Sequence, residues 1–213
     1  TESQYQFGIL QGISDFAQHR NINLICFEGG LLIPDADGNL KSERNILYEL
    51  ATKKRLDGLI ILSDSLGIHL DDDALFQFRE RFHSLPVIFV GRSHPKVPSI
   101  IVDTFYGMRE MVLHLIEKHK YRSFGFIKGL SGSYHAEMRY SAFKEVLSEY
   151  EIPIDEDLIY DGDFLDNSGI LAIRHMLNTE KMPDVIVSCN DEMAISALHE
   201  LERQGLRVPE DVA

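Results

Sequence analysis

The 213 residues, 44% of them hydrophobic, can bury one large α/β domain or two lobes of about 100 residues each, which excludes a disordered chain. With 34 acidic against 21 basic residues the formal charge is -13, a field that repels a phosphate backbone, and no Lys/Arg cluster overrides it. There is no 18-residue apolar run and no export signal, and Cys26 and Cys189 form neither a CxxC motif nor a disulfide framework, so the expectation is a reduced, cytoplasmic chain without membrane contact.

Phe7, Leu10, Ile13, Phe16 and Ala17 recur at helical spacing, and Asn21 with Asn23 break the pattern before the apolar run at residues 24–27. This predicts helix, turn, strand. Ile46, Leu47, Leu50 and Ala51 mark a second helix, and Asp57-Gly58 turns into the strand Leu59-Ile60-Ile61-Leu62. Leu75, Phe78 and Phe82 mark a third helix, which Pro86 stops ahead of the strand Val87-Ile88-Phe89-Val90. After two prolines, Pro95 and Pro98, Ile100-Ile101-Val102 reads as a strand ended by Asp103. Met108, Val112, Leu115, Ile116 and His119 then predict a helix that leads to a strand at residues 124–127. Ala142, Phe143, Val146 and Leu147 give the next helix, residues 170–177 another, residues 185–188 a strand, and Met193, Ala197 and Leu201 the last helix, with Gly205 as its C-cap.

Strands this uniformly apolar have no polar face to show water, which is the signature of parallel sheets covered by helices on both sides. Two successive βα arrays follow, with the seam near Asp103: an N-terminal lobe at 1–102 and a C-terminal lobe at 103–213. The first array lacks a strand before its first helix and the second lacks one after its last, so each lobe is expected to be incomplete and the sequence to be an excerpt of a longer protein.

In an open parallel sheet, ligands bind beyond the carboxyl ends of the strands. That rule selects Glu28-Gly29-Gly30, Ser63-Asp64-Ser65, Gly91-Arg92-Ser93, Asp103-Thr104, the stretch from Lys128 to Arg139, Gly162-Asp163-Phe164 and Cys189-Asn190-Asp191. Asn190 offers a donor and an acceptor to a hydroxyl, and Asp191 either contacts ligand or caps the helix that follows. Arg139 presents a planar fork of donors to the same region, unless it is solvated or paired with Glu137. Phe164 is either an apolar wall for a ring or ordinary core. Ser63, Asp64, Arg92 and Glu137 complete the candidate ligand set.

No enzyme signature accompanies these residues. Gly125, Gly129 and Gly132 are spaced GxxxGxxG rather than GxGxxG, and there is no Walker loop, GxSxG elbow or HExxH motif. His114 and His119 are five apart, wrong for one helical face, and the acidic runs at 71–73 and 155–157 read as helix starts and solvated loops. No catalytic residue, metal or cofactor is expected.

From Val102 onward, "VDTFYGMREMVLHLIEKHKYRSFGFIKG", "AEMRYSAFKEVLSEYEIPID", "YDGDF", "PDVIVSCNDEMAISAL" and "GLRVPEDVA" resemble the ligand-binding core of LacI/GalR regulators; "ILQGISDFAQHRNINLICFEGG" and "LDGLIILSDS" resemble its first lobe more loosely. The resemblance implies a two-lobed, periplasmic-binding-protein-like type I fold, truncated at both ends, in which Arg139, Asn190 and Phe164 line the effector pocket. It also implies a sugar- or nucleoside-like effector held in the cleft between the lobes, a homodimer, and DNA contact only through a helix-turn-helix outside these residues. The first-lobe wording is similar to sensors fused to kinase or cyclase output domains. A solute-binding protein of a sugar transporter is the alternative on the same fold.

Overall fold

The computed structural model describes residues 4–35, 40, 43–179 and 181–213. The chain divides into two compact units, Thr1–Ile101 and Val102–Ala213. Each is built on a three-stranded parallel sheet with helices in the connections. Among the described residues no helix is long and apolar enough to cross a membrane.

The N-terminal unit opens with helix α1 (Gln4–His19), followed by a 3-10 helix at Glu43–Leu50. Strand β1 (Leu59–Leu62) leads into the short helix α2 (Ser63–Leu66), then α3 (Asp72–Glu80), β2 (Val87–Val90) and β3 (Ser99–Ile100). The strand order is β1-β2-β3, with Leu59 opposite Val87 and Phe89 opposite Ser99. Asp71 caps α3 by accepting from Ala74 N–H at 2.8 Å, so this acidic run is indeed a helix start. Leu32, Leu75, Phe78, Phe82 and Phe89 form the core, and the Phe78 ring meets Tyr48 and Phe82 edge to face at 5.7 and 5.3 Å. Two expectations change here. Residues 24–27 form no strand, and Leu24 and Ile25 are exposed; an apolar run becomes a strand only when a neighbour takes up its backbone groups. The helix expected around Ile46 and Leu50 is a 3-10 helix, and β3 extends only as far as its ladder to Phe89 and Val90.

In the C-terminal unit α4 (Thr104–Glu117) precedes β4 (Phe124–Ile127), α5 (Tyr134–Glu149), β5 (Ile159–Tyr160), α6 (Asp166–Asn178), β6 (Val185–Ser188) and α7 (Asp191–Arg203). Their strand order is β5-β4-β6, with Phe124 opposite Val185 and Ile127 opposite both Ser188 and Tyr160. β4, the middle strand, is buried along its whole length. Met108, Val112 and Ile116, Phe143, Val146 and Leu147, Ile173 and Met176, and Met193, Ala197 and Leu201 put one stripe from each helix into the core around Phe126. Each such large side chain removed from water contributes about 1.5–3 kcal/mol.

α6 and α7 pack unusually closely at Gly169, where an added Cβ would stand 2.1 Å from both the Met193 carbonyl and the Ser196 hydroxyl. The buried Glu200 carboxylate on α7 is held by Arg203, Gln204 and, from α6, Arg174, all at 2.8–2.9 Å. Gly205 follows in the left-handed conformation, φ 81°, as its capping role requires.

Candidate functional site

The C-terminal unit holds a cavity of about 420 Å³ where β6 runs into α7 and where α4 begins. It is lined by Val102, Asp103, Thr104, Gly107, Met108 and Met111 from the α4 side, by Arg139 from α5, and by Ser188, Cys189, Asn190 and Asp191 from the β6–α7 junction. Both strand-to-helix junctions lie where an open parallel sheet offers unpaired N–H groups and end-of-strand side chains.

The local sequence explains each position. His135, Ala142 and Val146 are buried on the inner stripe of α5, and Arg139 falls on that stripe four residues after His135 and three before Ala142. Arg139 therefore lines the cavity, half-buried. Asp103 begins α4 as its N-cap, accepting from Tyr106 N–H at 2.9 Å, and the Thr104 hydroxyl stands 3.2 Å from His135 Nδ1.

At the other junction the cap is Asn190, not Asp191. Asn190 Oδ1 accepts from Met193 N–H at 3.2 Å, while its Nδ2 donates to the Phe164 carbonyl at 2.8 Å. The carbonyl end of the amide is thus committed to the helix, and one N–H of Nδ2 takes no part in these two bonds. Asp191, exposed in the first helical turn, supplies the acceptor beside it.

Cys189, just before them, is buried, and burial pushes its thiol up to about 11. It is a neutral, weakly polar wall at ordinary pH rather than a nucleophile.

The other sequence candidates fall elsewhere. Phe164 has a left-handed backbone, φ 71°, and its ring presses against Gly129, so its link to the site runs through its carbonyl on Asn190. Asp163 holds that loop by accepting from Leu165 N–H at 3.0 Å and from the Ser168 hydroxyl at 2.5 Å. Glu137 is exposed on α5, and its described bond is a backbone one to the Ser133 carbonyl.

Ser63, Asp64 and Arg92 belong to the N-terminal unit. The buried Ser63 hydroxyl donates to the Val90 and Arg92 carbonyls and accepts from Arg92 N–H, tying β1 to β2. Arg92 donates to Asp72 and to the Gly67 and Leu70 carbonyls, and Asp64 lies against Gly91. The strand-end rule selected Asp103, Thr104 and Cys189, but the candidate ligand set left them out along with Met108, Met111 and Ser188, because only contact with the cavity separates such residues from ordinary caps and core.

A parallel α/β unit with an arginine and an amide lining one cavity beyond its strand ends is the architecture of a small-molecule binding domain of the periplasmic-binding-protein kind. Residues 112–213 match the family described as the periplasmic binding protein-like domain. The HTH-type transcriptional repressor PurR of Aliivibrio salmonicida is 29% identical over 192 residues, 88% of this chain. PurR of Haemophilus influenzae is 27% identical over 216 residues, the whole of this chain. The chain spans 56% and 60% of the lengths of these two relatives. Among solved structures, the transcriptional regulator CelR–cellobiose complex is 29% identical with a TM-score of 0.66, covering 79% of this chain and 51% of that one. The chain is similar to transcriptional regulators of this kind, and its family match falls within the C-terminal unit. These relatives are regulators, and they lend no support to the transporter alternative.

Proposed function

We propose that this chain is the effector-sensing part of a transcriptional regulator, and that its C-terminal unit binds an uncharged polyhydroxy ligand of the sugar or nucleoside class through Arg139, Asn190 and Asp191. The observation that carries this reading is the convergence of these three side chains on one cavity of about 420 Å³. Asp103 and Asp191 against Arg139 give the lining one net negative charge, and the chain as a whole is at -13, so a phosphorylated or acidic ligand would meet repulsion. Hydroxyl groups, which both donate and accept, match a lining that offers an arginine fork, one amide N–H, carboxylates and two hydroxyls. Val102, Met108 and Met111 supply apolar surface for the face of a ring. The cellobiose bound by the similar regulator CelR is of this class.

The reading includes a cytoplasmic location, a homodimer and DNA contact through a separate domain, as the PurR relatives' description as HTH-type repressors supports. The test is a melting-temperature screen of neutral sugars, including cellobiose, and of purine nucleosides against their phosphorylated counterparts, followed by calorimetry on any hit. A neutral ligand should raise the melting temperature, and Arg139→Ala should weaken its binding by about 1.5–3 kcal/mol, or roughly tenfold to a hundredfold. Preference for the phosphorylated compounds, or unchanged affinity in Arg139→Ala, would overturn the assignment.

A further inference from the structure

At the end of α4 the chain doubles back. Lys118 N–H bonds to the His114 carbonyl, Lys120 takes the left-handed conformation at φ 64°, and Tyr121 N–H reaches back to the Leu115 carbonyl at 3.3 Å. This is a helix end closed by a residue in the left-handed conformation, a lysine here instead of the usual glycine. It carries His119 back over the last turn of the helix. His119 and His114, which a continuous helix would hold apart, therefore meet with their Nε2 atoms 3.1 Å apart and their rings inclined at 63°. Tyr121 stacks on His119 at 5.5 Å and 8°, fixing the orientation of that ring.

Two imidazole nitrogens this close hold between them either a shared proton or a cation. Nitrogens bound at about 2.1 Å to one metal ion stand about 3.0 Å apart at a right angle and about 3.4 Å apart at the tetrahedral angle. The observed 3.1 Å lies between those limits.

We propose that His114 and His119 form a two-imidazole site for a borderline divalent transition-metal cation of the Ni²⁺, Cu²⁺ or Zn²⁺ class, with water in the remaining positions. The class follows from the donors. Neutral imidazole suits these ions, whereas Mg²⁺ and Ca²⁺ require oxygen ligands. Among the described residues no group of three or more His, Cys, Asp or Glu is placed to hold a metal, so the site is bidentate and exchangeable rather than a closed structural centre. It is separate from the cavity, which the same helix lines at its opposite end through Thr104, Gly107, Met108 and Met111.

The probe is Ni²⁺, titrated calorimetrically into the whole chain, with Mg²⁺ as the control. One saturable Ni²⁺ site is expected, with no response to Mg²⁺. His114→Gln and His119→Gln should each weaken it at least tenfold, while His199→Gln on α7 leaves it unchanged. Both substitutions are at exposed positions, and circular dichroism checks that helix content is kept. Zn²⁺ added to the unsubstituted chain, followed through imidazole ¹⁵N shifts, gives a readout independent of any variant: two histidines should shift together. The proposal is overturned if folded His114→Gln binds Ni²⁺ like the original chain, if no saturable binding occurs, or if Zn²⁺ leaves those two rings unmoved, in which case the pair only shares a proton.

Discussion

Asn190 holds the β6–α7 junction together by two bonds, and replacing it should cost stability in a way that separates them. Asn190→Ala removes the cap on Met193 N–H, which is worth about 1 kcal/mol. It also leaves the Phe164 carbonyl without the Nδ2 donor, at a further cost of about 1 kcal/mol, the lower end of the range because Phe164 is only half-buried. The sum is about 2 kcal/mol. Asn190→Asp keeps an oxygen for the cap and adds a favourable charge at the helix start of about 0.3–1 kcal/mol, yet sets a carboxylate beside the Phe164 carbonyl where a donor stood. It should therefore fall between alanine and the original. Urea denaturation followed by far-ultraviolet circular dichroism measures both, and with slopes of about 1–3 kcal/mol per molar the alanine midpoint should drop by roughly 1 M. An alanine variant within about 0.5 kcal/mol of the original would refute the reasoning, as would an aspartate variant more damaging than alanine.

Three further outcomes are expected. Gly169→Ala should destabilise by about 1–3 kcal/mol despite alanine's better helix propensity, because its methyl has no room against the Met193 carbonyl; a thermal melt no lower than that of the original would count against the close packing. Glu200, held by Arg203, Gln204 and Arg174, has its carboxyl lowered to about 2, so its contribution is complete above about pH 4.5, the unfolded value, and is lost as pH falls toward 2. Denaturant midpoints measured across that window should decline less steeply in Glu200→Gln. Finally, at neutral pH a maleimide should label the exposed Cys26 well before the buried Cys189, and mass spectrometry showing equal rates would mean that the cavity wall is open.

How much of this was readable in the residues depended on whether neighbours close in sequence decided the outcome. The tetrads at Leu59–Leu62, Val87–Val90, Phe124–Ile127 and Val185–Ser188 are apolar enough to belong only inside a covered sheet, and all four are strands. The run at 24–27 is just as apolar, but a strand needs a ladder partner, and composition says nothing about whether one stands beside it. β5, two residues long, is too short to carry any alternation. The strand-end rule singled out the β6–α7 junction, and its residues line the cavity. It could not tell which of two adjacent Asx residues turns inward to cap, and Asn190 took the part expected of Asp191. The meeting of His114 with His119 depends on a left-handed lysine, a conformation that residue identity does not announce.

Gly169 has a mechanical consequence. With backbone against side chain and no methyl between them, α6 and α7 cannot slide past each other without collision. Ser168, next to the glycine, is bonded to Asp163, and the Phe164 carbonyl is bonded to Asn190 at the head of α7. The two helices and the loop that leads into them therefore move as one slab. For the ligand proposed above, adjustment would have to come from the flanks that carry Arg139 and Thr104, so that one side of the chamber would serve as an anvil and the other as the part that yields.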